Sequence, residues 1–207
     1  MNRVILAYSQ LQGALPAAQR ERLRAQLPYA RRLRVALDAG RQSQTFLGFA
    51  LACGLLGAAA AEPVEPARLR FTRSGKPFLP GHPDFSIAHA GDWVLCALAG
   101  EGHVGIDVED HVAARADPAA LGIWAAQEAT IKAAGATLVE LAQVRVQGRR
   151  IGFRGRRWYC RTPRLPADLV VRVVTERPVT QLQLRAVSPD AALAALAALG
   201  SLAARAA

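Results

Sequence analysis

Hydrophobic residues recur at two different spacings along the first third of the chain. The apolar run at residues 3–8 predicts a short strand. The segment PAAQRERLRAQL, residues 16–27, carries leucines at helical spacing behind a proline suited to a first turn, so it predicts an amphipathic helix. A second helix is predicted from Arg41 to Ala60 and ends before the proline-containing loop EPVEP.

The middle of the chain changes to the alternation that is typical of strands. A short strand is predicted at residues 67–72, and the Gly- and Pro-rich segment RSGKPFLPGHPD after it is irregular. FSIAHA, DWVLCALAG and VGIDVED then predict three strands, of which the last two form a hairpin through the turn-like residues between them.

The remaining residues predict a helix, strands and a terminal helix. In order, the predicted segments are a helix at 122–135, a glycine-punctuated basic stretch at 147–161, strands at 168–176 and 180–187, and a helix over 190–207. The whole order predicts an α+β protein with two similar halves, an N-terminal lobe of residues 1–100 and a C-terminal lobe of residues 101–207, joined as one integrated unit.

Composition narrows the class of protein and of partner. The chain has 207 residues, 52% of them hydrophobic, which is enough for a sizeable core. The 26 Lys and Arg exceed the 16 Asp and Glu, and the net charge of +10 favours polyanionic partners such as nucleic acid, an anionic membrane, a phosphorylated ligand or an acidic protein. The arginine- and alanine-rich composition of proteins from GC-rich genomes explains this charge equally well.

The cysteines and the apolar runs bear on the compartment. Cys53, Cys96 and Cys160 are far apart and odd in number, which argues against a disulfide framework or a zinc site and fits a reducing cytosol. The longest apolar stretch, residues 46–61, is shorter than a membrane span and carries three glycines, so it predicts a buried helix. We therefore expect a soluble cytoplasmic protein without a signal peptide or a membrane partner.

Two carboxylates share one side of the strand VGIDVED. The strand presents Val104, Ile106 and Val108 on one side and Gly105, Asp107 and Glu109 on the other. The apolar side suits a core, and Gly105 leaves room for a ligand to approach the carboxylates. Their spacing of about 6–7 Å suits a hard cation such as Mg²⁺, but half-buried strands with an acidic outer side are common.

A third carboxylate lies on the helix at 122–135. Trp124, Glu128 and Lys132 follow one another at four-residue intervals and share one side of that helix. Glu128 could complete a metal-ligand set with Asp107 and Glu109, although a solvated Glu–Lys pair would have the same spacing. Trp124 is expected to pack the helix against the core.

Two further candidates lie upstream of the carboxylates. Lys76 lies in a Gly–Pro loop and His89 at the end of a predicted strand, and both are suitable phosphate contacts. Taken singly, Lys76 is equally consistent with a solvated loop lysine, and His89 with a histidine whose hydrogen bonds are satisfied in a turn.

In order, GKPFL, FSIAHAGDW, VGIDVED and WAAQEATIKAAG resemble motifs of the surfactin-synthetase-activating type of 4'-phosphopantetheinyl transferase. That family has a GKP loop, an F-x-[IL]-S-H-S-like strand end, a G-[IV]-D-x-E strand and a W-x-x-K-E-A-x-x-K helix. The resemblance covers roughly residues 74–135. Four ordered motifs are far more specific than any one of them.

The resemblance implies a fold of two similar α+β halves with coenzyme A bound in the cleft between them. It implies transfer of the phosphopantetheine arm to a serine of an acyl or peptidyl carrier protein, typically an acidic one, with release of 3',5'-ADP. A monomer would suffice, because both halves of the cleft lie in one chain. The resemblance implies that Asp107, Glu109 and Glu128 bind Mg²⁺. It implies that Asp107, Glu128 and Lys132 act in catalysis, with Glu128 as the base. The residues implied for coenzyme A are Lys76, His89, Arg41 and Gln127.

The sequence departs from the family in three places. Gln127 stands where the family usually has a lysine, so we expect weaker phosphate binding and a higher pKa for Glu128. Ala88 replaces the usual serine before the histidine, which removes a phosphate hydrogen bond of about 1–2 kcal/mol. The connection at 110–123 is about half the expected length, which bears on the choice of carrier protein.

Two alternatives stay open beside an active transferase. One is a degenerate member of the same family that binds coenzyme A or a carrier protein with little transfer. The other is a nucleic-acid-binding protein that uses the arginines from Arg145 to Arg164 with Trp158 and Tyr159 as stacking groups. Nucleic acid is not the expected partner, because this alternative leaves the three carboxylates unexplained.

Overall fold

The computed structural model describes residues 2–27, 38–165 and 169–206. Its helices are α1 (Ala17–Ala25), α2 (Ala39–Ala60), α3 (His111–Ala114), α4 (Pro118–Ala134) and α5 (Pro189–Ala206). Its strands are β1 (Arg3–Gln10), β2 (Arg70–Phe71), β3 (Pro77–Phe78), β4 (Phe85–Ala90), β5 (Trp93–Ala99), β6 (Val104–Asp110), β7 (Arg145–Gln147), β8 (Arg150–Phe153), β9 (Arg156–Arg161), β10 (Leu169–Thr175) and β11 (Gln181–Ala186). Short 3₁₀ turns occupy Pro66–Arg68 and Leu138–Gln143. The predicted α+β class is confirmed.

The strands form two main sheets. Sheet 1 has the order β11-β1-β5-β4, and sheet 2 has the order β6-β10-β9-β8-β7. The strands β2 and β3 form a small separate pair. The last strand and helix of the chain return to the first sheet, since β11 pairs in parallel with β1 and α5 packs on α2.

The core has three parts that follow from this layering. The inner sides of the two sheets share one apolar cluster, which includes Leu6 and Leu95 from sheet 1 and Ile106 and Val173 from sheet 2. The outer side of sheet 1 is covered by α2 and the outer side of sheet 2 by α4. Each sheet is therefore apolar on both sides where a neighbour covers it.

The predicted hairpin between DWVLCALAG and VGIDVED is wrong. β5 pairs with β1 and β4, whereas β6 pairs with β10 in the other sheet. The hairpin in this region joins β4 to β5 through Gly91, whose φ of 52° suits a tight turn. The alternation identified the strands but carried no information about their partners.

Most predicted elements are confirmed with shifted ends. The helix predicted at 122–135 begins at Pro118, because the Asp117 side chain accepts hydrogen bonds from the amides of Ala119 and Ala120 and the proline suits the first turn. The basic stretch at 147–161 consists of the end of β7, β8 and β9 joined by two turns, and only two residues of 67–72 are in a strand. Residue 168 of one predicted strand and residue 207 of the predicted terminal helix lie outside the described residues.

The apolar stretch at 46–61 is a buried helix, as predicted. α2 is long and apolar enough to cross a membrane by length and composition, and 61% of its most apolar window is buried inside the protein. Its N-cap is Asp38, whose side chain accepts from the Arg41 amide. Cys53, Cys96 and Cys160 are free and buried.

Candidate active site

A buried aspartate, a glutamate and a lysine converge where α4 crosses β6. The Lys132 ammonium lies 2.5 Å from Asp107 Oδ1 and 3.8 Å from Glu128 Oε2. The side chain of Asp107 is only 6% exposed, while Glu128 and Lys132 are partly exposed. The structure thus brings together the three residues that the sequence analysis assigned to catalysis.

The close approach of α4 to β6 depends on Gly105. A Cβ at this position would overlap the backbone oxygen of Ala129 and lie 2.6 Å from the backbone nitrogen of Ala133. The prediction that Gly105 leaves room for a ligand is wrong, because the helix backbone already fills that space. The glycine instead fixes how near the helix carries Glu128 to Asp107.

The carboxyl groups are hard to ionise together in this site. Burial raises the pKa of Asp107, and the Lys132 ammonium offsets this only in part. Burial and then the charge of Asp107 raise the pKa of Glu128. Burial and then the charge of Glu128 raise the pKa of Glu109. A further cation at this site would lower the pKa of all three carboxyl groups.

Glu109 lies at the outer end of the same carboxylate row and is half-buried. A hydrogen bond from the Trp124 indole opposes the rise in its pKa. Trp124 is 43% exposed, so the prediction that it packs the helix against the core is wrong. The sequence analysis missed its contact with Glu109, because the two residues come from different elements.

Carboxylate oxygens, which this site supplies, are the ligand type that a hard divalent cation prefers. The second carboxylate oxygen of Asp107, Oδ2, is buried and has no hydrogen-bond partner, which is costly unless something binds there. In the described residues no group of three His, Cys, Asp or Glu side chains has the arrangement of a metal site. The ammonium of Lys132 supplies the positive charge at Asp107 in this structure.

A cleft of about 460 Å³ opens beside this cluster. Both Glu128 and Lys132 line it, together with Lys76 and His89, so four predicted site residues meet there. The remaining lining residues come from α2, residues 71–77, β4, α4 and the segment that follows α4; among them are Thr45, Phe71, Ser74, Ser86 and Leu138.

Lys76, which lines this cleft, already has partners within the protein. Its ammonium lies 2.5 Å from Asp84 Oδ2 and donates to the Val104 carbonyl at 2.9 Å. Burial lowers the pKa of Lys76, and the charge of Asp84 offsets part of that effect. Much of its charge is therefore neutralised within the protein.

The edges of β4 and β6 are joined through side chains, which the sequence analysis missed. Asp84 Oδ2 accepts from the Val104 amide at 2.8 Å, and Ser86 Oγ accepts from the Ile106 amide at 3.2 Å. Asp84 and Ser86 alternate along the chain and bond to the alternate residues Val104 and Ile106 of β6, and the next alternate position, Ala88, has no polar side chain. This alternation was the available signal, and it ends at Ala88.

Two predicted coenzyme A residues do not reach the cleft. Arg41 is exposed and its side chain lies 3.6 Å from Asp38. Gln127 donates to the Val144 carbonyl at 3.5 Å and is not among the cleft-lining residues. Adjacent helical residues point about 100° apart, which separates Gln127 from Glu128.

One of the two predicted stacking groups of the nucleic-acid alternative is buried. Trp158 is 2% exposed and packs among the apolar residues beneath α4. Tyr159, on the other side of the strand, is half-buried. The prediction that Trp158 could stack on bases is wrong.

Comparison with known proteins adds no relative. The chain matches no protein-family model and no curated protein.

Proposed function

We propose that this protein transfers the 4'-phosphopantetheine group of coenzyme A to a serine of an acidic acyl or peptidyl carrier protein in a Mg²⁺-dependent reaction. One observation supports this function most strongly: the buried carboxylate of Asp107, which keeps one unpartnered oxygen, pairs with Lys132, and Lys132 and Glu128 line a cleft that also contains Lys76 and His89. Cation-binding oxygens next to basic side chains suit a pyrophosphate substrate.

Each site residue has a role in this proposal. Asp107, Glu109 and Glu128 would hold Mg²⁺, and a bound Mg²⁺ would supply positive charge to the phosphate oxygens. Glu128 accepts the proton of the carrier serine, whose oxygen forms a bond to the β-phosphorus of coenzyme A. The bond from that phosphorus to the bridging oxygen breaks, and 3',5'-ADP leaves. Lys132 stabilises the phosphate oxygens, and His89 contacts the nucleotide.

Two similar halves are also part of the proposal. The order β1-β5-β4 in sheet 1 matches the order β6-β10-β9 in sheet 2, and each set has its long helix after the first strand. The connection between β5, which ends at Ala99, and β6, which begins at Val104, supports a boundary near residue 100. In this scheme β11 and α5 are C-terminal additions to the first half.

Mass spectrometry of a carrier protein tests this function. Apo carrier incubated with coenzyme A and Mg²⁺ should gain the mass of one phosphopantetheine group, and Glu128→Gln should abolish the gain. The exposed Glu21→Gln is the matched control and should retain transfer. If no carrier from fatty-acid, polyketide or peptide synthesis gains mass, the transferase proposal fails.

A binding measurement separates a weak transferase from a binding-only relative. Calorimetric titration of coenzyme A with and without Mg²⁺ should give tighter binding with the metal, and Asp107→Asn should remove the difference. Metal-dependent binding without any mass gain would support the binding-only relative instead.

A further inference from the structure

Four arginines lie together on one side of sheet 2, away from the cleft, and Arg149 lies at the edge of this group, where it lines a pocket with Arg161. Residues paired across an antiparallel ladder lie on the same side of a sheet. Arg145 pairs with Gly152 and Gly152 with Arg157, while Arg150 pairs with Tyr159 on the same side. We name this surface the arginine face; it consists of Arg145, Arg150, Arg157 and Arg161 on the sheet, together with Arg149 in the turn between β7 and β8.

The opposite side of these strands is occupied by core. Ile151, Trp158 and Cys160 pack beneath α4. The arginine face is therefore separated from Glu128 and Lys132 by the thickness of the sheet. Any partner that it binds does not need to enter the cleft, and this proposal does not depend on the transferase proposal.

The charges of the arginine face are poorly neutralised. Neighbouring carboxylates pair with other arginines, Glu140 with Arg154 and Glu176 with Arg156. In the part of the chain that the structure describes, Arg149, Arg150 and Arg157 are exposed and form no ion pair. Three exposed guanidinium groups in one area produce a field that attracts anions.

The arginine face ends in a pocket at the edge strand of sheet 1. This pocket, of about 330 Å³, lies where Arg149 and Arg161 meet Thr180 and Leu182. The guanidinium of Arg161 is held in place by the Val179 carbonyl at 2.6 Å. One arginine of the pocket is therefore pre-positioned.

An apolar residue adjoins this pocket. Leu184 lies two residues after Leu182, on the same side of β11, and is 40% exposed. β11 is also an edge strand of sheet 1. Cationic groups beside an exposed leucine and a strand edge match the composition of a polypeptide-binding surface.

We propose that the arginine face and Leu184 bind an acidic polypeptide segment that carries an apolar side chain. Charge complementarity identifies the partner as anionic, and the exposed leucine favours a polypeptide. Nucleic acid is disfavoured because Trp158 is buried and only the half-buried Tyr159 remains for stacking.

Fluorescence anisotropy with a labelled peptide tests this surface. The probe is a glutamate-rich peptide with one central leucine, about ten residues long, which crosses the sheet at about 3.3 Å per residue. The combined variant Arg149→Glu, Arg150→Glu and Arg157→Glu should weaken binding at least about tenfold at low salt. Leu184→Ala should weaken it about threefold without altering the salt dependence.

A charge-matched control separates the surface from net charge. The combined variant Arg22→Glu, Arg70→Glu and Arg115→Glu changes three exposed arginines elsewhere by the same total charge. It should retain binding within about threefold. Equal losses in both variants, absence of salt-sensitive peptide binding, or tighter binding of a single-stranded oligonucleotide of equal length would each overturn the proposal. Circular dichroism verifies that both variants fold.

Discussion

Two lysine–aspartate pairs lie near each other, and they are built differently. Lys76 and Asp84 satisfy one another and also bond to the backbone of β6, so their network is complete. Lys132 and Asp107 have the same 2.5 Å separation, yet Asp107 keeps an unpartnered oxygen and Glu128 adds a second negative charge. The ion-pair distance does not distinguish the two sites; the unpartnered oxygen and the second carboxylate do.

Of the substitutions that test the difference between the two pairs, Asp107→Asn should have the largest effect. We expect kcat/KM for carrier-protein modification to fall about a thousandfold, because a neutral amide replaces a charge that the proposed metal needs. A radioactive or fluorescent transfer assay at saturating Mg²⁺ measures it. Full activity would remove Asp107 from the site.

Asp84→Asn should affect stability instead. It leaves the ammonium of Lys76 without its counter-charge in a buried position, so the free energy of unfolding should fall by about 3 kcal/mol. Urea denaturation measures the loss. The double variant with Lys76→Met should recover part of it; an unchanged midpoint in Asp84→Asn would show that this ion pair does not stabilise the fold.

The contribution of Asp107 to the pH dependence of stability should have the opposite sign to that of a carboxylate whose pKa is lowered by an ion pair. Burial raises the pKa of Asp107, so its ionised form opposes folding, and this cost is present at neutral pH and disappears as the pH falls through the raised pKa. With a chelator present, Asp107→Asn should therefore be more stable than the wild type at neutral pH, and the two should converge in acid.

Thermal unfolding across pH measures this difference. Glu21→Gln is the exposed control and should show no such convergence. A wild type that is more stable than Asp107→Asn at neutral pH would show that Lys132 outweighs burial at this site.

The smallest effect is expected from Gln127→Lys. The sequence alone predicts a lower KM for coenzyme A, but Gln127 faces the Val144 carbonyl rather than the cleft. We expect the KM to change by less than about twofold, since a charge beyond the cleft is screened by solvent. A steady-state titration of coenzyme A measures it, and a large decrease would restore the role predicted from sequence.

Local spacing predicted much of the fold and of the site. The four-residue interval between Glu128 and Lys132 and the two-residue interval between Asp107 and Glu109 follow from element geometry, so these pairs could be identified from the sequence. The partner of β6 could not, because alternation does not encode which strand lies beside it. The same reason hid Asp84 and Ser86, whose role exists only where β4 meets β6.

The contacts of the side chains on α4 could not be predicted from the sequence either. Gln127 was assigned to coenzyme A from its neighbour Glu128, although adjacent helical residues diverge. Trp124 shares the side of Glu128 and was expected in the core, while the structure exposes it above Glu109. In both cases the sequence placed the residue on the helix, but only the packing of that helix decided what the residue contacts.

The parallel pairing of β1 with β11 has a consequence for biosynthesis. Residues 3–8 lie beside residues 181–186, so β1 obtains its second neighbour only after the strands of sheet 2 have left the ribosome. Contacts this distant in sequence form slowly. During synthesis the nascent chain therefore carries one open strand edge on its first sheet, and it is in this interval that a chaperone would have the most to protect.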